Sequence, residues 1–219
     1  MEQYDSVIFD FDGVLLASDR DGFEWANKVR EEKARSLGYD NSLDELRLLF
    51  ETGSYEEFQE GLEEYGIDPE DLREWEKAVA DRKVEMVEDG EITLYPHSRE
   101  VLRSDIPVAL VSNAYGDALD EIASTLDLEK TVDFWYAPRL TDIESYVKQM
   151  KPSSYMVEKA CEELDSKNPL MVGDSPSDIK AAEKAEIKSA YLDRNGGTHE
   201  KADHNIQDLR QLEKILNKN

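Results

Sequence analysis

Short apolar, β-branched runs punctuate the chain: Val7-Ile8-Phe9, Ile106-Pro107-Val108-Ala109-Leu110-Val111, Val132-Asp133-Phe134-Trp135-Tyr136, Pro169-Leu170-Met171-Val172 and Ile187-Lys188-Ser189-Ala190-Tyr191-Leu192. Continuous runs of this length suit strands buried on both faces. Helical stretches join them, so the pattern predicts an α/β chain with a Rossmann-like parallel sheet. Pro152 is placed to open one connecting helix, with Met156, Val157, Ala160, Cys161 and Leu164 turned inward. Pro176 is placed to open another.

Residues 17–90 break the alternation. They hold no convincing strand but several helix-start signals: Ser18 with Asp21, Ser42 with Glu45 and Ser54 with Glu57 fit the capping box or its Asp variant. Asp68-Pro69 supplies an N-cap followed by proline at the first helical position. Tyr55, Phe58, Leu62 and Tyr65 share one helix face that Gly66 ends, and Leu72, Trp75 and Val79 repeat the spacing. The expected organisation is therefore a core formed by residues 1–16 and 91–219, with an all-helical insert over residues 17–90.

Charge narrows the partners. Fifty-one acids against 26 bases give a formal charge of -25, a field that repels nucleic-acid phosphates, and no basic patch offsets it. An acid excess of this size suits a salt-adapted surface, although lysine outnumbers arginine 15 to 11 where strongly halophilic surfaces shed lysine. The lone Cys161 lies among apolar neighbours at helical spacing, which reads as a packed thiol in a reducing compartment. No apolar run is long enough to span a membrane, and the first strand starts too early for a signal peptide, so a cytoplasmic protein, monomer or homodimer, is expected.

The candidate chemistry clusters at strand ends. Val7-Ile8-Phe9 runs directly into Asp10-Phe11-Asp12-Gly13, placing two acids one residue apart on the lip of the sheet, where open α/β sheets bind ligands. Two such acids repel one another unless a cation or a proton intervenes. Ser112-Asn113 follows the second run, Lys151-Pro152 precedes a helix, and Gly173-Asp174-Ser175-Pro176-Ser177-Asp178 follows the fourth run. Each has a plain structural alternative: Ser112 or Asn113 as an N-cap, Lys151 as a solvated charge, Ser175 with Asp178 as a capping box. Together, in this order, they converge on one rim of a doubly wound sheet.

This set of motifs resembles that of the haloacid dehalogenase-like hydrolase superfamily, and the resemblance spans the whole chain. The helical stretch after the first motif is similar to the small cap of the branch that includes phosphoglycolate phosphatases, β-phosphoglucomutases and phosphonatases. The resemblance implies Asp10 as the nucleophile that forms an aspartyl-phosphate and Asp12 as the general acid and base. It implies Mg²⁺ held by Asp10, Asp12 (through its backbone carbonyl) and Asp174, with Asp178 either a direct ligand or an outer partner, and with Ser112, Lys151 and the backbone around Asn113 on the phosphoryl oxygens. An acid at Asp12 favours phosphate esters over halides or phosphonates. The expected activity is hydrolysis of a small phosphate monoester, phosphoglycolate being the family-level guess. A phosphomutase, or a relative retaining the fold only as a binding module, is the alternative.

Weaker signals add little. The Asp10 and Asp19 segments lack the Gly and Glu that a calcium loop needs, and His199 and His204 are five apart, on different helix faces. His97 reads as structural or exposed, and Lys28 and Lys33 as a solvated helix face. Among insert residues Arg47, Thr52 and Ser54 can face a substrate, and a plain solvated surface accounts for them at least as well.

Overall fold

The computed structural model describes residues 3–20, 22–40, 54–139 and 141–216. In chain order they form β1 (Ser6–Asp10), α1 (Glu24–Ser36), α2 (Tyr55–Tyr65), α3 (Pro69–Glu88), the short α4 (Ser98–Val101), β2 (Val108–Val111), α5 (Gly116–Thr125), β3 (Phe134–Tyr136), α6 (Ile143–Gln149), α7 (Tyr155–Glu163), β4 (Pro169–Gly173), α8 (Pro176–Lys184), β5 (Lys188–Leu192), β6 (His204–Ile206) and α9 (Leu212–Leu216). The strands form one six-stranded sheet in the order β3-β2-β1-β4-β5-β6. Every pairing is parallel. The order reverses between β1 and β4, the switch point at which a doubly wound sheet leaves a crevice beyond its carboxyl ends. The fold is thus α/β, a Rossmann-like parallel sheet with an inserted helical cap.

Alternation along the strands divides the core. Val7, Phe9, Leu110, Leu170 and Val172 face one layer, with Leu119 and Ile122 of α5. Ile8, Ala109, Val111 and Met171 face the other, against Met156, Val157 and Ala160 of α7 and Ala181 and Ala182 of α8. Residues on the central strands β1, β2 and β4 are all buried, as their unbroken apolar runs require. The sequence runs for these strands agree with the structure to within two residues. The brief β6 at the sheet edge had no apolar run to announce it.

The cap helices form where the capping signals put two of them. Ser54 accepts the Glu57 N–H at the start of α2, and Gly66 ends it at φ 65. Asp68 caps α3, with Pro69 at its first turn. Phe58, Leu62, Leu72 and Trp75 bury a small apolar cluster that the core helix α6 also joins through Ile143 and Val147. Farther along α3, Ala80, Val84 and Val87 pack into the main core cluster instead. The Ser42–Glu45 signal lies outside the described residues.

Two expected helix starts move. Ser18 does not cap a helix: its hydroxyl donates to Asp12 Oδ1 at 2.6 Å, and α1 begins at Glu24 after Phe23 in a left-handed conformation. Its proposed box partner, Asp21, lies outside the described residues. Pro152 does not open α7, which begins at Tyr155. The Asn113 side chain binds both the backbone N–H and the C=O of Lys151, at 2.8 and 2.9 Å, and so holds this segment in a turn. Pro176 does open α8, under the Ser175–Asp178 capping box. Among the described residues no helix is long and apolar enough to cross a membrane.

Candidate active site

The carboxyl ends of β1, β2 and β4 bring the sequence-predicted residues together. Asp10 is the last residue of β1 and is 8% exposed. Lys151, also buried, reaches it from the turn ahead of α7: Nζ lies 2.7 Å from Asp10 Oδ1 and 2.6 Å from Asp178 Oδ1. Asp178 has no exposed surface, and its other oxygen accepts the Ser175 N–H at 3.0 Å. It therefore satisfies both readings of the motif at once, capping α8 and facing the rim. Lys151 is no solvated charge.

Glycines make the crowding possible. A Cβ on Gly13, which sits at φ 76, would overlap the Asp174 carboxylate, and one on Gly173 would overlap Asp178. Carboxylate oxygens of Asp10, Asp174 and Asp178 lie within 4.8 Å of one another. Burial first, then Asp178 and Asp174, push the Asp10 carboxyl well above its ordinary range, against the pull of Lys151. The same two causes, burial and Asp178, raise Asp174 to about 7. Burial works against the Lys151 ammonium, but Asp10 and Asp178 outweigh it and keep it charged. Three carboxylates around one ammonium leave a deficit of positive charge, and oxygen ligands so arranged fit a hard divalent cation.

Asp12 turns away from this cluster. It accepts from Ser18 Oγ at 2.6 Å and Ser112 Oγ at 3.2 Å, and it is ion-paired to Lys83 of α3. Burial raises its carboxyl, but Lys83, Ser18 and Ser112 prevail and hold it below the ordinary range. Ser112 also accepts the Ala114 N–H at 3.0 Å, so it orders the loop after β2 without capping α5, whose N-cap is Tyr115. Asn113 likewise caps nothing. Its side chain grips Lys151, and its carbonyl accepts from Tyr146 Oη at 3.2 Å.

A cavity of about 290 Å³ opens on Asp12 between cap and core. Its walls include Arg30, Glu76 and Lys83 from the cap and Asn113 and Tyr146 from the core. Sequence reasoning missed Lys83, Ser18 as a partner of Asp12, and Arg30. Only burial could have flagged Lys83, because Ala80, Val84 and Val87 share its helix and face the core. Arg194 was missed as well: it donates to the carbonyls of Gly13 and Val14, the latter at 2.8 Å, while its guanidinium lies 3.6 Å from the centre of the Tyr95 ring.

Other candidates fall elsewhere. Arg47 and Thr52 lie outside the described residues, and Ser54 caps α2. Lys28 and Lys33 pair on the surface with Glu32 and Glu74. His97 pairs with Glu100, and His204 contacts Tyr4 Oη at 2.8 Å. Burial pushes the Cys161 thiol up to about 11, away from reactivity, and it packs against the α7–α8 layer.

The haloacid dehalogenase-like hydrolase family model matches residues 7–192. No curated protein matches the sequence. Among solved structures, CbbY from Rhodobacter sphaeroides in complex with phosphate is 20% identical, with a TM-score of 0.72, over 95% of this chain and 96% of that one. A HAD phosphatase from Thermococcus onnurineus is 20% identical, with a TM-score of 0.62, over 97% of each chain. A predicted phosphoglycolate phosphatase from Haemophilus somnus is 17% identical, with a TM-score of 0.69, over 98% of this chain and 99% of that one. At these identities the three structures speak for the shared fold.

Proposed function

This chain belongs to the haloacid dehalogenase-like hydrolase family, and from that premise we propose that it is a Mg²⁺-dependent phosphatase of small phosphate monoesters, working through an aspartyl-phosphate on Asp10. We assign residues 1–16 and 91–219 to the core and residues 17–90 to the cap. One observation carries the reading. Two carboxylates one residue apart occupy separate networks on one rim, Asp10 with Lys151 and Asp12 with Ser18, Ser112 and Lys83.

The chemistry divides between them. An Asp10 oxygen attacks phosphorus as the ester P–O bond breaks, and Asp12 gives its proton to the departing oxygen. Approach of a phosphate dianion favours that proton on Asp12, because a neighbouring negative charge disfavours the carboxylate. In the second step Asp12, held charged by Lys83, takes a proton from water. The water oxygen attacks phosphorus, and the bond to Asp10 breaks to restore the carboxylate. Lys151, the Ser112 hydroxyl and the backbone around Asn113 bind phosphoryl oxygens. Asp10, Asp174 and Asp178, with the Asp12 carbonyl, would hold Mg²⁺, which when bound neutralises charge on the transferring group.

The test is a phosphate-release screen over a metabolite panel, with Mg²⁺ and with EDTA, at low and high salt. Mg²⁺-dependent release that EDTA abolishes is the expected result. Full activity in excess EDTA, or beryllofluoride modification at a residue other than Asp10, would remove the mechanism.

A further inference from the structure

The cavity that opens on Asp12 has a polar wall the reaction chemistry does not use. There Arg30 of α1 and Glu76 of α3 form a two-pronged pair: Nε donates to Oε1 at 2.8 Å and Nη2 to Oε2 at 3.3 Å. The side chains are only 23% and 12% exposed, so the pair is largely withdrawn from solvent. A guanidinium carries five N–H groups, and this geometry occupies one edge. Among the described residues, Arg30 has no other hydrogen-bond partner. Asn27, almost one turn earlier on α1, also lines the cavity; its backbone N–H donates to Phe23, and among the described residues its side-chain amide makes no hydrogen bond.

Charge on this wall is balanced pair by pair. Glu76 neutralises Arg30, and Asp12 neutralises Lys83. Among the described residues, a leaving group bearing a carboxylate or a second phosphate would meet two carboxylates and no uncommitted cation, and would lose its hydration in the process. A hydroxyl-rich, uncharged group does better, because each hydroxyl both donates to a carboxylate and accepts from an N–H. Its carbon faces can rest on Trp25 and Val79, which are among the apolar lining. A cavity of about 290 Å³ lies at the small end of ligand pockets, which suits a leaving group the size of a small polyol or a sugar.

We propose that Arg30, Glu76 and Asn27 are specificity-determining residues that select an uncharged, polyhydroxylated leaving group and reject anionic ones, which makes the substrate a small polyol or sugar phosphate. The inference rests on the phosphatase reading above and departs from the phosphoglycolate that family resemblance suggests.

Measuring kcat/KM for glycerol phosphate, phosphoglycolate and p-nitrophenyl phosphate tests it. The native protein should favour glycerol phosphate over phosphoglycolate by at least about tenfold. Glu76→Gln leaves the guanidinium unneutralised and should move that ratio at least about tenfold towards phosphoglycolate, mainly through KM. Asn27→Asp, a half-buried helix position that tolerates the change, should move it the opposite way. A native preference for phosphoglycolate overturns the inference, as does a ratio that moves in neither variant. Failure to release phosphate from any of the three esters overturns the phosphatase reading itself, and the inference with it.

Discussion

Asp10 and Asp12 stand one residue apart and in opposite electrostatic surroundings. Asp10 shares one buried lysine with two more carboxylates, and its charge is disfavoured. Asp12 has an ammonium and two hydroxyls to itself, and its charge is favoured. β1 ends at Asp10, so the strand alternation that would turn residues two apart to one face no longer governs Asp12. The first environment is built entirely by the core and calls for a further cation. The second is completed by Lys83 from the cap helix α3, so it exists only when cap and core are together. In the proposed mechanism the nucleophile would thus wait on a metal, and the acid–base group on the cap.

The largest blow to this contrast is Asp10→Asn, which keeps the shape and removes the attacking charge. Turnover should fall by several orders of magnitude with the circular dichroism spectrum unchanged. Near-native phosphate release by that variant would dismiss Asp10 as the nucleophile. Next is Asp174→Ala, which takes an acid from the cation-poor side alone. A direct ligand should cost more than the roughly 10–100-fold typical of outer partners, with partial recovery in excess Mg²⁺. Activity titrated against Mg²⁺ decides this, and an unchanged half-saturation point would exclude Asp174 from the metal site.

On the other side, Lys83→Met strips Asp12 of its cation. Breaking a buried pair costs roughly 3–5 kcal/mol, and the low end is expected because the Asp12 side chain keeps 19% exposure. Thermal or urea unfolding should show that loss, and Lys83→Arg should recover part of it along with activity. Equal stability of the Met and Arg variants would mean that the ion pair contributes nothing.

The smallest effect concerns pH. Asp174 is raised by burial and by Asp178 from an unfolded value near 3.8 to about 7. Its contribution to stability is therefore complete below 3.8 and is lost as pH rises through about 7 in metal-free protein. Relative to Asp174→Asn, the metal-free native protein should lose melting temperature between pH 5 and pH 8. Mg²⁺ binding to the folded state should offset that loss. Parallel melting curves for the two proteins across this range would show that Asp174 titrates normally.

Much of this site was legible because strand ends are local features. Asp10 and Ser112 follow an apolar run directly and Asp174 follows one after a single glycine, so the sequence order of runs and polar residues maps onto the rim of the sheet. The glycines beside them were legible as motif members, while the steric reason, the space that Asp174 and Asp178 need, appears only in three dimensions. Ser18 was misread because an N-terminal serine signal looks the same whether its hydroxyl meets a helix N–H or a distant carboxylate. Pro152 was misread for a similar reason, since its turn is held by Asn113 from the distant loop after β2.

Sequence alone determined the parallel sheet, the helical insert and the acids on the rim, because hydrophobic period and capping chemistry act between near neighbours. Tertiary structure alone decided which cation serves which acid and what the cavity wall presents. Lys83 lies 71 residues from Asp12, and Glu76 lies 46 from Arg30. On a helix surface nothing in the local pattern separates a solvated charge from one that packing will bury. The pairing is chosen only when α1 and α3 dock over the sheet, where the loss of water makes each unpaired charge too costly to leave alone.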